Sequence, residues 1–383
     1  MTDSIGTLAN WRTPPFNRQS FTRVRELIPT ANIAAAPLFA SPLPRRYRDF
    51  SSLSFQAPGG PELALAHYLE TSAADALVVL QRGKIVYDWY RTAETGTQPH
   101  VVFSVSKSLT ALLAGILVAD GVLDADAPIT RYVPEVGDSA YADATVRHLL
   151  DMTVSINFTE DYLNPDQTFL RYRAATGWNF RTAGSVETLH DFLATLQKDA
   201  YPHGDRFRYK SPNSDLLGWV LERAGRASFA QMFSDRIWQP MGAASDAYVT
   251  VDPAGAPRTA GGICVTVEDL ARVGEMVRCR GFVNGRQVIP GSWIDDITSG
   301  GNIEHWTKGD LTGFIAHCRY RSKWYNHLDN GTLLAAGIHG QWLVIDPKAD
   351  LVIAKQSSQP EPSGDAMDHL NLAAFDALSA ELI

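Results

Sequence analysis

Three cysteines in 383 residues, Cys264, Cys279 and Cys318, are too few for a disulfide framework and supply no CxxC pair for a metal. Uncharged apolar runs are short: the longest, Leu109–Ala119, is about half of the roughly 18 residues needed to cross a bilayer. Basic residues are in deficit, 34 against 42 acidic, and the formal charge of -8 argues against nucleic acid or an anionic membrane as partner. A small molecule is the expected partner. Met1–Pro15 lacks the basic start and apolar core of an export signal, and no lipidation signal is present, so a cytoplasmic location is expected. No G-x-S-x-G elbow, H-E-x-x-H pair or G-x-x-x-x-G-K-[ST] loop occurs, which disfavours three large enzyme classes. His305, His317 and His327 are irregularly spaced and read as surface or supporting residues, so neither a metal nor a cofactor is expected.

What is present is ample core material: 45% of residues are apolar and 20% charged. The length suggests two or three domains, and 29 Gly, 21 Pro and nine Trp point to a mixed fold with many loops. Ala76–Leu80 and Lys84–Tyr90 flank Gln81-Arg82-Gly83, a hairpin signal, and Trp342–Ile345 and Leu351–Ala354 flank a second turn at Asp346–Asp350. Between these ends the pattern is helical, over Ser104–Asp120, Ser185–Gln197, Ser214–Ala224, Ser228–Ile237 and Val267–Val277, with Asp365–Leu382 closing the chain. Ser20–Ile28 reads as a further short helix capped by Ser20. With no repeats or linkers, the expectation is an α/β domain built from residues 1–120 and 245–383, with a helical domain, 121–244, inserted into it.

Ser104-Val105-Ser106-Lys107 runs into Leu109, Leu112, Leu113, Ile116 and Leu117, the buried face of a helix. Ser104 and Lys107 are then neighbours in the first turn, and a lysine whose pKa is lowered by burial and by the helix dipole can take the serine's proton. A bare S-x-x-K arises by chance in a chain of this size, and Ser104 could simply cap the helix, so the pair needs partners. Two are available. Tyr209, in a loop between Gly204 and Pro212 with Asn213 or Ser214 as the following cap, can relay a proton, or it is an ordinary half-buried aromatic. Ala335–Trp342, rich in small residues, can bring backbone N–H groups against a substrate, or pack its glycines under a helix.

The three segments in this order resemble the penicillin-recognising serine hydrolases, and within them the branch that cleaves nylon oligomers. Further matches are Trp11–Arg18, Asp151-Met152, Glu160-Asp161-Tyr162, Gly177-Trp178, Asp269–Gly274 and Gly337-Ile338-His339-Gly340-Gln341. The resemblance implies a β-lactamase/transpeptidase-like α/β fold: an antiparallel sheet with flanking helices plus an inserted, mostly helical domain. It implies Ser104 as acylated nucleophile, Lys107 as base and Tyr209 as proton shuttle. The backbone N–H groups of Ser104 and Ile338 would form the oxyanion hole, Tyr162 and Trp178 would touch substrate, and a homodimer is the expected assembly. Tyr162–Trp178, with Asn164-Pro165-Asp166 and little periodicity, fits a flap over the cleft. His339 beside the oxyanion segment is expected to point away from the cleft.

Two departures narrow the substrate. Ala335 stands where a Lys-Thr-Gly signature would place its lysine, removing the cation that holds a β-lactam or stem-peptide carboxylate, so β-lactamase or D,D-peptidase activity is disfavoured. Arg173, beside Arg171 on the flap, stands where the resemblance implies an acidic partner for the ammonium of a nylon oligomer. Guanidinium repels that ammonium, so esterase activity on short acyl esters is expected to exceed nylon-dimer hydrolysis unless Asp166 or flap motion supplies a carboxylate. The alternative from another class is a binding or sensor module on the same fold, against which the intact Ser/Lys/Tyr set speaks.

Overall fold

In the computed structural model, which describes residues 6–181 and 187–383, both turn signals close antiparallel hairpins. Strands β1 (Ala74–Gln81) and β2 (Lys84–Tyr90) meet at Arg82-Gly83, both with positive φ, the geometry that suits the twist of a two-residue hairpin. Strands β3 (Cys318–Arg321), β4 (Trp324–His327), β5 (Leu333–Gly337), β6 (Gln341–Asp346) and β7 (Leu351–Ser357) follow late in the chain. The β6–β7 loop is tightened by Asp346, whose carboxylate accepts from Lys348 N–H at 2.8 Å. All seven form one antiparallel sheet in the order β3-β4-β5-β6-β7-β1-β2, so its two halves come from opposite ends of the chain.

The alternation along each strand decides what covers the sheet. Leu77 and Val79 of β1, Trp342 and Val344 of β6 and Leu351 and Ile353 of β7 share one apolar cluster with Phe375 and Leu378 of the last helix, α5 (Asp365–Leu382). Their neighbours Val78, Leu343 and Val352 face the other way, into the larger core that includes helices α1 (Val105–Ala119), α3 (Pro212–Gly225) and α4 (Val267–Arg278). Leu109, Leu112, Leu113, Ile116 and Leu117 are all buried there, as their spacing predicts, and truncating any one to alanine is expected to cost about 2–5 kcal/mol.

A second, four-stranded antiparallel sheet orders Thr30–Ile33, Ala247–Thr250, Ile263–Val265 and His100–Val101. It sets the strand that leads into Ser104 beside the strand that follows Ala260. The chain therefore reaches the first turn of α1 already aligned with the 258–261 segment.

Several boundaries differ from the sequence pattern. Ser20 ends a four-residue helix, Asn17–Ser20, instead of capping one, and only a 3-10 turn, Val24–Glu26, follows; Phe21, Val24 and Ile28 are buried nonetheless. The helix expected over Ser185–Gln197 is Leu189–Ala194, because Thr188 caps it by accepting from Asp191 N–H; Ser185 lies outside the described residues. Ser228 does cap a helix, Phe229–Phe233, which continues as a π-helical turn over Ser234–Trp238. Ser211, not Asn213 or Ser214, is the N-cap of α3, with Pro212 at the first helical position. The flap is more regular than its composition suggests: Asp166 accepts from Phe169 N–H at 2.7 Å and starts helix α2 (Gln167–Ala175). Among the described residues no helix is long and apolar enough to cross a membrane, and no cluster of three or more His, Cys, Asp or Glu could hold a metal ion.

Candidate active site

Ser104 occupies the N-cap position of α1 but its side chain caps nothing. Instead Lys107 Nζ, one turn on, lies 2.9 Å from Ser104 Oγ and donates to the Ala260 carbonyl at 2.7 Å. The lysine is fully enclosed, and burial pushes its pKa down to about 7, with Arg258 pushing the same way and Glu160 and Asp215 resisting. Half of the side chains are then neutral at neutral pH, with a lone pair beside the serine hydroxyl.

The residue before Ser104 is held in an unusual conformation. Phe103 has φ of 42°, a region that non-glycine residues visit at a cost of order 1–3 kcal/mol. An aromatic cage over-determines it: Trp11 stacks on the Phe103 ring, and Phe21, Trp178 and His339 approach from other sides. His339 is buried in that cage, its Nδ1 2.7 Å from the Gln359 carbonyl, and burial pushes its pKa down to about 4; it lies behind the cleft and stays neutral.

Tyr209 enters from the loop before α3, its backbone N–H held by Asp310 at 3.2 Å. Lys107 Nζ sits 4.9 Å from the centre of its ring. Burial and the nearby Glu160 charge raise the phenol's pKa, outweighing a hydrogen bond with Ser104 that favours ionisation, so Tyr209 holds its proton. Opposite, strand β5 ends beside the nucleophile. A methyl group on Gly337 would lie 2.6 Å from the Val102 carbonyl and 3.0 Å from Ser104 N, so glycine is what lets the two backbones come this close. Among the described residues neither the Ser104 N–H nor the Ile338 N–H donates a hydrogen bond, and both residues line the cleft.

The cleft has two lobes that meet at Ser104. The larger, about 590 Å³, is lined by Tyr209, Phe314, Tyr325, Ala336, Asp310 and Asp365 among others. The smaller, about 30 Å³, is walled by Tyr162, Phe169, Trp178 and three guanidinium groups, Arg12, Arg173 and Arg258. Tyr162, Trp178 and Arg173 are thus brought to Ser104 by α2 and its flanks. Arg171 is not: it turns outward to Glu187 and Thr195. Ala335 is buried in the main core, leaving Ala336 at the cleft wall.

Sequence reasoning missed the layer that holds these groups. Asp215, on α3, accepts from Ala260 N–H at 2.8 Å and from Tyr172 Oη at 2.5 Å, and forms a buried ion pair with Arg258. This network fixes the Ala260 carbonyl that grips Lys107. Glu160 accepts from both the N–H and the hydroxyl of Ser211, each at 2.5 Å, and from Tyr162 Oη, tying the flap to the start of α3. Glu160 and Arg12 fall within the matched segments, but nothing in their spacing marks a role; Asp215, Tyr172 and Arg258 carry no sequence signal at all.

With this geometry in hand, the family is plain. The beta-lactamase family pattern matches residues 65–377, and the chain belongs to that family: it is a serine hydrolase on the beta-lactamase fold. It is 34% identical to the 6-aminohexanoate-dimer hydrolase of Paenarthrobacter ureafaciens over 361 residues, covering 93% of this chain and 89% of that one. A Bacillus anthracis structure named as a candidate 6-aminohexanoate-dimer hydrolase superposes with a TM-score of 0.89 at 25% identity, covering 98% of this chain and 97% of the other. A family VIII carboxylesterase shares the fold, with a TM-score of 0.58 at 15% identity over 82% of this chain and 95% of its own.

Proposed function

We propose that the chain cleaves short acyl esters, and amides more slowly, through a covalent acyl-enzyme on Ser104. The observation that carries this reading is the 2.9 Å contact between Ser104 Oγ and a buried lysine half-neutral at pH 7. Lys107 takes the hydroxyl proton as Oγ attacks the acyl carbon, and the free N–H groups of Ser104 and Ile338 receive the developing oxyanion. The proton passes by way of Tyr209 to the leaving oxygen or nitrogen as its bond to the acyl carbon breaks. Water then attacks the acyl-enzyme with Lys107 again as base, and the acid is released. Tyr162, Trp178 and Arg173 shape the acyl side.

Arg173 in the smaller lobe supports ester substrates over the ammonium-bearing nylon dimer named for the Paenarthrobacter relative, and alanines at 335 and 336 leave β-lactams and stem peptides without a cation there. All strands of both large sheets fall within 1–120 and 245–383, which supports the discontinuous domain with 121–244 as the insertion. Three free thiols support a cytoplasmic location, and the family resemblance alone carries the homodimer. The test is mass spectrometry after exposure to a fluorophosphonate, alongside turnover of 4-nitrophenyl acetate. A single adduct on Ser104, absent with turnover in Ser104→Ala, is expected; no adduct and no turnover would favour the binding-module reading.

A further inference from the structure

The two lobes at Ser104 are chemically unlike, and Tyr209 orients a substrate between them. Tyr209 lines the larger lobe and not the smaller, so the leaving group it protonates lies in the larger and the acyl chain enters the smaller. Of the three guanidinium groups there, Arg258 alone has a carboxylate partner among the described residues, Asp215. Arg12 donates to neutral acceptors, Asn179 Oδ1 at 2.6 Å and the Trp178 carbonyl at 3.4 Å. Arg173 has no hydrogen bond or ion pair from its side chain among the described residues; its flat face lies on Phe169, 4.3 Å from the ring centre, and over Tyr162 at 5.7 Å. Its N–H edge is left without an acceptor. The nearby Glu160 has its oxygens engaged by Ser211 and Tyr162.

Holding these cations together is unfavourable. Burial and mutual repulsion from Arg173 and Arg258 push the Arg12 pKa down to about 9, and burial lowers that of Arg173 as well. Both stay charged at neutral pH, and an anion between them relieves the repulsion. The space suits a small one: about 30 Å³ holds one or two waters, or a carboxylate, and no long chain.

We propose that the Arg12–Arg173 lobe takes the terminal carboxylate of a short carboxyacyl group, making the preferred substrates half-esters or half-amides of short dicarboxylic acids. The reaction is the same acyl transfer, with the carboxylate as anchor: the ester bond breaks, the Ser104 acyl bond forms, and water releases the diacid. This rests on Ser104 as nucleophile with the acyl chain on the Arg173 side.

The test separates the lobe from the chemistry. Monoethyl succinate and its neutral isostere, ethyl 4-methylpentanoate, are compared in two ways: binding to Ser104→Ala by calorimetry, and kcat/KM with the wild type. Preference for the anion by about tenfold or more is expected in both, weakened by salt and reduced to near parity by Arg173→Gln or Arg12→Gln in each background. Equal binding of the two esters, or a preference unmoved by both arginine variants, overturns the proposal. Turnover of both esters without preference rejects the anion lobe while leaving the hydrolase reading intact. Arginine-dependent binding of the anion to Ser104→Ala with no wild-type turnover of either ester supports the lobe and rejects the hydrolase reading.

Discussion

The charge state of Lys107 sets the pH dependence of the reaction, and Glu160→Gln tests it. An unburied lysine, with a pKa near 10.5, is neutral in about one molecule in 3,000 at pH 7. Burial brings Lys107 to about 7, so about half of the molecules have a competent base, a gain on the order of 10³ from desolvation outweighing Glu160 and Asp215. Because the neutral form is the active one, kcat/KM rises with pH. On 4-nitrophenyl acetate, read at the isosbestic wavelength, it is expected to climb about tenfold from pH 6 to pH 8 and then level off. Lys323, also buried, has its own pKa pushed well down by desolvation and by the Lys107 charge. Glu160 favours the protonated lysine; replacing its carboxylate with an amide of the same shape moves the midpoint to lower pH and raises relative activity at pH 6. A flat profile between pH 6 and 8, or a midpoint unmoved or raised in Glu160→Gln, would refute the reasoning.

Three further outcomes follow from the same geometry. Tyr209→Phe, which keeps the ring over Lys107 and removes the proton relay, should lower kcat by about 10²-fold with little change in KM; an unchanged kcat removes Tyr209 from proton transfer. Gly337→Ala places a methyl against Val102 O and Ser104 N and should cost about 10²-fold in kcat, measured beside a thermal melt to show that the fold survives. Arg173→Asp should raise kcat/KM on the 6-aminohexanoate dimer far more than on a neutral ester, and equal changes on both would show that Arg173 does not face the acyl end.

The most legible parts of the chain were those in which one local signal determines one local structure. Gly83 marks its hairpin because glycine takes up positive φ without a steric cost, and the apolar spacing from Leu109 to Leu117 dictates a buried helix. From these, two hairpins and a discontinuous α/β domain could be read, the single antiparallel sheet with flanking helices being implied by the family resemblance, and the adjacency of Ser104 and Lys107 follows from helix geometry alone. Helix α2 was hidden because Asn164-Pro165-Asp166 reads as loop, whereas Asp166 is the cap that begins it. Arg12 and Asp215 were illegible as site residues for another reason. Their positions come from tertiary contacts, Arg12 with Trp178 and Asn179 and Asp215 with the 258–260 segment, and no periodicity encodes such long-range meetings.

The aromatic cage around Phe103 links distant parts of the chain to the nucleophile. Trp11 and Phe21 are walls of the same enclosure that holds the backbone before Ser104 in its left-handed turn. Residues 11–21 are therefore structural members of the catalytic centre rather than a lead-in to the fold. Trimming them, often harmless in an enzyme whose core lies elsewhere, would here release the turn that aims the serine hydroxyl. The sheet and its helices would remain in place around a nucleophile no longer pointed at its base.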